Sequence, residues 1–330
     1  MDAFREELAP TVPNEQAEVA RITYRYLRWL MVLLPLVLLV VTALTAIQQH
    51  ELERSISAYY GGPVRDVFVG VMIATAACMV IYQGASLLED YTLNGAGFYA
   101  VFVALVPTNL DQTLRALGAN PTPDGVTPAD YIWFLRTALT TVVGLCGFLL
   151  WKEFTKSERL KKLLQSGRLN RIFVGITGAI LLWFLGLAMW QLWRPDPEHG
   201  TMNGIPLGPW QLRIHDLAAI FFIAALAVAV GSHAWPKVVA TQEGQSVSTS
   251  DLEVSGRYKW ILFLMVLGLL LAPGVHKFVG HGVIFLEVWE IAFFSVFWIL
   301  ETKRIGKMPK VQTAVEAPPA AEIVQPGSDI

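Results

Sequence analysis

Eight stretches of this sequence stay apolar over about the 20 residues that an α-helix needs to cross the hydrocarbon core of a bilayer. A single water-soluble core cannot bury all of them, because the chain of 330 residues is 54% hydrophobic and only 16% charged, whereas soluble domains are about 25% charged. The pattern predicts an all-α, polytopic transmembrane helical bundle. The predicted spans are 29–48, 64–84, 92–109, 130–151, 171–193, 210–235, 258–274 and 282–300.

The third span is the weakest of the eight, because it opens with Asn94 and two glycines and ends at Pro107. The distribution of charge tests whether it crosses, since cytoplasmic loops carry an excess of Lys and Arg. The 152–171 loop holds seven such residues, and it shares a side with Arg21, Arg25 and Arg28 only when the third span is kept. We therefore predict about eight spans with both termini in the cytoplasm.

These spans divide the chain into three parts. Residues 1–28 are predicted to be a cytoplasmic N-terminal segment, 29–300 the transmembrane helical domain, and 301–330 a disordered cytoplasmic tail, because its Pro- and Ala-rich end has no periodic apolar face. The first span lacks the short basic start of a cleaved signal, so we expect an uncleaved anchor in a bacterial cytoplasmic membrane.

With a net charge of −2 and no basic stripe, nucleic acid is not an expected partner.

Charged residues inside the spans are costly, so they usually face the bundle interior and mark functional sites. Here they gather in the outer half of the predicted membrane, which predicts an outward-facing polar pocket. Glu287 and Glu290 are three residues apart and share a helical face, and Arg136 lies at a comparable depth as the expected counter-ion for one of them. The other is expected to be protonated, and a purely structural ion-pair network is the alternative. The pocket candidates are Asp66, Arg136, His215, Asp216, Glu287 and Glu290.

A zinc site is a second way to use the outer histidines, since catalytic zinc needs about three protein ligands. His215, His276 and His281 are the candidates, with Asp216 and Glu287 as carboxylates at the same side. Their spacing matches no established zinc motif, so zinc is kept only as an alternative cofactor. Haem is not expected, because His233 has no evident mate at its depth. Cys78 and Cys146 both lie in apolar runs, which argues against a disulfide or Cys-based zinc framework.

The most distinctive segment is the first outer loop, where Ser55-Ile56-Ser57-Ala58-Tyr59-Tyr60 is followed by Arg65-Asp66-Val67-Phe68-Val69-Gly70. Further along come Tyr82 and Gly84, then Asn94, then Pro107 and Thr108. Over residues 30–108 the chain resembles uncharacterised bacterial multi-pass membrane proteins with a SIS-YY…RDVFVG loop. It is more distantly similar to the damage-regulated autophagy modulator and Sfk-type membrane proteins, although Ala58 stands where those relatives place Asp. The resemblance implies an all-helical fold and a lipid-related setting, and it supplies no catalytic residues.

We therefore interpret the sequence as a multi-pass membrane protein with a binding or accessory role, whose partners are membrane lipids. A homo-oligomer or a membrane-protein partner is left open. The first alternative is a metal-assisted lipid hydrolase or transferase, in which a metal-bound water attacks an ester or amide. The second is a small-molecule transporter, which predicts repeats and broken helices. Walker, dinucleotide-binding and nucleophile-elbow motifs are absent from the sequence, and whether the protein is an enzyme stays open.

Overall fold

The computed structural model describes residues 13–61, 64–84, 86–108, 110–119, 125–156, 168–193, 205–207, 210–243 and 249–306. The helices are α1 (Pro13–Gln49), α2 (Val64–Ile81), α3 (Leu87–Leu105), α4 (Leu110–Ala119), α5 (Pro128–Lys156), α6 (Arg168–Leu192), α7 (Ile214–Ala234), α8 (Pro236–Glu243), α9 (Thr249–Val279) and α10 (Gly282–Gly306). A 3-10 helix covers Ile56–Gly61, and two short antiparallel strands, β1 (Ile205–Leu207) and β2 (Trp210–Leu212), form a hairpin before α7.

Eight of the described helices are long and apolar enough to cross a membrane, which confirms the predicted all-α, polytopic bundle. They are α1, α2, α3, α5, α6, α7, α9 and α10. The span that looks weakest by hydropathy is the best buried, since 65% of its apolar window is inside the protein, against 17% for α5 and 11% for α6. Its polar and glycine residues therefore reflect packing against other helices rather than a failure to span.

The long helices run alternately up and down, so α1 begins and α10 ends at one end of the bundle. We call this the termini end. The opposite end carries the β-hairpin, the 3-10 helix and α4, and we call it the hairpin end. The charge pattern of the sequence predicts that the hairpin end faces out of the cell.

Six helices form a closed ring, in which α1 packs on α2, α2 on α3, α3 on α7, α7 on α9, α9 on α10, and α10 again on α1. The chain leaves this ring after α3, forms α5 and α6, and returns with α7. Helices α5 and α6 touch the ring over smaller areas, and most of their surface is exposed. The fold therefore has a ring core and a peripheral pair of helices at one side.

Close contact between α2 and α3 depends on Gly97. A Cβ atom at this position would lie 2.9 Å from the backbone carbonyl oxygen of Ala76, closer than real Cβ atoms approach. Without a side chain here, the two backbones come together in the manner common for membrane helices. Helix α3 itself begins at Ser86, whose hydroxyl accepts the N–H of Glu89, as expected for an N-cap serine.

The helices at both chain ends extend past the predicted limits of the transmembrane domain. Helix α1 runs without interruption from Pro13 through residue 28, and α10 continues to Gly306. Arg28 is buried against the ring of Tyr82 at the termini end, so the predicted boundary at 28 falls inside a packed helix. Residues 301–306 of the predicted 301–330 tail are helical, and the rest of that tail lies outside the described residues.

Candidate functional site

The 3-10 helix and its flanking residues cap the ring at the hairpin end. The Ser55 and Ser57 hydroxyl oxygens are 3.0 Å apart, and the Ser57 hydroxyl also hydrogen-bonds the hydroxyl of Thr108. The backbone N–H of Ala58 donates to Ser55 Oγ at 3.1 Å. These contacts join the loop after α1 to the loop after α3, so the two serines of the distinctive sequence segment fasten one part of the cap to another.

The start of α10 is tied to the same cap. Glu287 Oε2 accepts the backbone N–H of Ile56 at 2.6 Å, and the N–H of Ile284 donates to the carbonyl oxygen of Arg54 at 2.9 Å. Glu287 therefore has a defined partner, which is a backbone donor rather than a cation. This bond and the Ile284–Arg54 bond hold the 3-10 helix over the ring.

A pocket opens beside this cap, between the end of α3, α4, α5, α6 and the start of α7. Its polar members are held by backbone carbonyls: His215 Nδ1 lies 2.6 Å from the oxygen of Val106, and Arg213 Nη1 donates to the oxygen of Thr108 at 2.8 Å. Because a carbonyl only accepts, His215 Nδ1 carries the proton. The lining residues are Val106, Pro107, Thr108, Leu110, Asp111, Leu135, Leu192, Arg213, Ile214 and His215.

Arg136 strengthens one wall of this pocket. Its Nε donates to the carbonyl oxygen of Leu192 at 2.6 Å, and its guanidinium carbon lies 5.4 Å from the centre of the Trp193 ring. Arg136 therefore ties α5 to the end of α6. No ion pair to Glu287 or Glu290 is found within the described part of the chain, so the expected pairing of Arg136 with one of these glutamates does not form there.

The other predicted pocket residues differ in burial and in their distance from the pocket. His215 is buried in the pocket wall with Asp216 next to it on α7, and Glu290 is buried one helical turn deeper than Glu287. Asp66 is exposed on the first turn of α2, where an acidic residue interacts well with the helix dipole. The structure therefore brings His215 and Arg136 to the pocket and leaves Asp66 outside it.

The three histidines proposed as zinc ligands are not assembled into a site. His276 is exposed, His281 is half-buried, and His215 is bonded to Val106. Among the described residues, no group of three or more His, Cys, Asp and Glu side chains is placed to hold a metal ion. A zinc-dependent mechanism built on His215, His276 and His281 therefore has no ligand set in this fold.

A second polar cluster lies at the termini end, and here His233 has partners that sequence reasoning did not find. Its Nε2 is 3.0 Å from Glu89 Oε1, and its Nδ1 is 3.8 Å from Glu301 Oε2. Glu301 also accepts the hydroxyl of Tyr258 at 2.8 Å and Arg304 Nη2 at 2.6 Å. Both glutamates are fully buried, so each carboxylate depends on these partners for its charge.

Aromatic and glycine residues complete this cluster. The Tyr82 ring packs edge-on against Trp298 with 4.9 Å between centroids, and the Arg28 guanidinium lies 5.6 Å from the Tyr82 centroid.

Gly84 leaves room for the side chain of Glu89, which a Cβ at position 84 would meet at 2.8 Å. Burial, and then the nearby carboxylates of Glu89 and Glu301, raise the pKa of Tyr82 above its usual range, which keeps the phenol neutral. Each of the six ring helices, or the residue just after it, contributes to the cluster.

The sequence did carry a signal for this second cluster. Glu89 precedes the third span, His233 ends the sixth and Glu301 ends the eighth, so the predicted topology puts all three near the cytoplasmic side. Glu89 and Glu301 lie just beyond the predicted span ends, so a charge pattern limited to the spans does not include them. Their similar depth near the cytoplasmic side is the signal that pairs them with His233.

The fold defines the class of the protein: it is a multi-pass, all-helical membrane protein with eight candidate spans, and it has buried polar residues at both the hairpin end and the termini end. Comparisons with protein-family models, with curated proteins and with solved structures give no match. The resemblance to bacterial SIS-YY…RDVFVG proteins stays a prediction. Its motif residues fall into the two clusters, with Ser55, Ser57 and Thr108 at the hairpin end and Tyr82 and Gly84 at the termini end.

Proposed function

We propose that this protein is a membrane-embedded binding protein that holds the head of an amphiphilic molecule, such as a membrane lipid, at the mouth of the hairpin-end pocket, whose interior has a volume of only about 20 Å³. The observation that carries the proposal is the composition of the pocket wall. Apolar side chains from α5 and α6, Leu135 and Leu192, face polar groups on the loop before α7 and on its first turn, Arg213 and His215. Ligand sites in proteins combine a mostly apolar lining with a few fixed polar groups in this way.

The polar groups are held in place before any ligand arrives. His215 is only 4% exposed and is fixed by the Val106 carbonyl, while Arg213 is fixed by the Thr108 carbonyl. A preformed site loses less conformational entropy on binding.

The Arg213 guanidinium favours the phosphate of a head group, while Asp111 in the lining and Asp216, on which the Arg213 charge acts, oppose a net negative charge. The apolar part of the ligand would lie along Leu135 and Leu192. In the proposed orientation, in a bacterial cytoplasmic membrane, the pocket opens outward.

The lipid-hydrolase alternative has less support than binding. It needs a metal-bound nucleophile, and the described residues offer no group of three metal ligands. The hydrogen bonding of His215 also favours binding over hydrolysis, because its Nδ1 donates to the Val106 carbonyl and its ring also interacts with the backbone of Val103. Binding without turnover is therefore the function that we infer.

Native mass spectrometry of protein purified in mild detergent tests this function. The Leu192→Trp substitution fills the pocket from a side chain that is 1% exposed, whereas Leu182→Trp changes a 72% exposed leucine of the same helix. We expect a bound amphiphile on the wild type and on Leu182→Trp, with at least a tenfold lower bound fraction on Leu192→Trp. Arg213→Gln serves as a second pocket variant if the tryptophan prevents folding. Equal bound fractions in all folded variants would rule out this pocket.

A further inference from the structure

The buried face of α10 carries carboxylates on both sides of an aromatic layer. Reading along the helix, Glu287, Glu290, Phe294, Phe297 and Glu301 are spaced three or four residues apart, so they share one face. Glu290, Phe294, Phe297 and Glu301 are buried. At a rise of 1.5 Å per residue, Glu287 and Glu301 are about 21 Å apart along the helix axis. One stripe thus connects the hairpin-end cap to the termini-end cluster.

Glu290 is the carboxylate on this stripe that has no counter-ion among the described residues. It is 5% exposed, and its Oε2 atom has no hydrogen-bond partner. An ionised carboxylate in such a place is costly unless it is paired. Glu287 lies one turn away and interacts with Asp216, which in turn interacts with His215 and Arg213. No ion pair to Glu290 is found in the described part of the chain. Glu290 therefore needs a mobile positive charge, and a proton is the smallest.

An unpartnered hydroxyl lies at a similar depth on α1, the ring helix that packs against α10. Thr42 of α1 is 5% exposed, and its hydroxyl has no hydrogen-bond partner. Thr42 lies about 10 Å from the hairpin end of α1, and Glu290 about 12 Å from the start of α10. Buried polar atoms without protein partners usually bind ordered water. Water held by the Thr42 hydroxyl would bring protons toward Glu290 from the hairpin end.

The termini end holds a second proton acceptor. His233 faces Glu89 at 3.0 Å through Nε2 and Glu301 at 3.8 Å through Nδ1. A neutral imidazole has only one N–H, so with a carboxylate at each nitrogen the ring is favoured as the doubly protonated cation. This group can gain or lose one proton while its geometry is kept by Tyr258 and Arg304.

Aromatic side chains separate the two acceptors. Phe294 and Phe297 stack with 6.2 Å between centroids, and Trp298 meets both rings edge-on. All three are buried. The α10 stripe carries no polar side chain between Glu290 and Glu301, although Trp298 brings a buried indole N–H without a hydrogen-bond partner into the layer. The layer separates a hairpin-side from a termini-side compartment of the ring.

We propose that the six-helix ring carries protons across the membrane, with Glu290 as the hairpin-side acceptor and His233 with its two glutamates as the termini-side acceptor. A proton from water at the hairpin end adds to the Glu290 carboxylate. When Phe294 and Phe297 move apart and water enters between them, the Glu290 carboxyl gives its proton to that water, and the water chain gives a proton to the deprotonated His233 group, which then releases it to water at the termini end. One O–H bond forms and breaks at Glu290, one N–H bond forms and breaks at His233, and nothing is oxidised or reduced.

Proton flux into liposomes tests this activity. The full-length protein is reconstituted with a pH-sensitive dye trapped inside, and a potassium gradient with valinomycin supplies the driving potential. We expect the wild type to exceed protein-free liposomes, Glu290→Gln to lower the protein-dependent flux at least tenfold, and Phe297→Ala to raise it severalfold. Glu51→Gln is the matched control, because Glu51 is an exposed carboxylate at the hairpin end, and its flux should equal that of the wild type.

Folding of each variant is checked by gel filtration and helical circular dichroism before reconstitution. Should Glu290→Gln fail to fold, Thr42→Val replaces it and is expected to lower the flux severalfold. Wild-type flux no greater than that of protein-free liposomes overturns the proposal, as does full flux in folded Glu290→Gln. The proposal does not rest on ligand binding in the hairpin-end pocket, because Leu192→Trp leaves this stripe of α10 intact and should keep wild-type flux.

Discussion

Replacing Glu301 with leucine is expected to lower the free energy of unfolding by about 3–5 kcal/mol, because removing one partner of a buried ion pair leaves the other charge uncompensated. Glu301 is fully buried and bonds Arg304 through both carboxylate oxygens, at 2.6 and 3.1 Å. It also accepts the Tyr258 hydroxyl and lies beside His233. Leucine would leave Arg304 and the Tyr258 hydroxyl without their acceptor and would remove one of the two carboxylates beside His233.

The measurement is unfolding of detergent-solubilised protein, followed by circular dichroism as denaturing detergent is added. Glu253→Leu is the matched control, since Glu253 is an exposed glutamate near the start of α9 at the same end of the bundle. We expect it to change stability by no more than about 0.5 kcal/mol. Equal losses in the two variants would contradict the description of the termini-end cluster as a set of mutually dependent charges.

Gly97→Leu is expected to cause the second large effect, a loss of about 1–3 kcal/mol or more from overpacking between α2 and α3. The first carbon of the new side chain would meet the Ala76 carbonyl at 2.9 Å. A backbone atom cannot turn aside as a flexible side chain can, so the two helices must separate. The readout is the midpoint of thermal unfolding in detergent.

Gly95 provides the comparison, because it lies two residues away on the same helix and its missing Cβ would meet nothing within 4 Å. Gly95→Leu should therefore unfold close to the wild-type temperature, since both variants change helix propensity alike. A similar drop in both variants would show that the effect comes from glycine in the helix and not from the α2–α3 contact.

Hydropathy and charge bias were enough to predict the eight spans, because both depend on the bilayer more than on the partners of each helix. The third span is predicted correctly although its hydropathy is the lowest of the eight. Its low hydropathy comes from residues such as Asn94 and Gly97 that pack against α2 or lie inside the ring. A helix hidden from lipid does not need to be apolar, so burial and hydropathy diverge there.

Partners of individual charged residues were harder to predict, as Arg136 shows. Similar depth pointed to Glu287 or Glu290, but α5 lies at the edge of the ring and Arg136 reaches α6 instead. Depth fixes one coordinate of a residue, whereas its position around the bundle depends on which helices are neighbours. The sequence alone does not show that α10 closes the ring on α1, or that α5 and α6 lie outside it.

The position of the binding pocket relative to the membrane is the claim on which the proposed function depends, and cysteine labelling in intact cells measures it. In a background with Cys78 and Cys146 replaced by alanine, single cysteines are placed at Gln112 on α4 and at Thr241 on α8, both exposed positions. A membrane-impermeant maleimide should label Gln112→Cys on intact cells and Thr241→Cys only after permeabilisation. Labelling of Thr241→Cys alone on intact cells would place the pocket inside, and labelling of both from one side would contradict the eight-span bundle.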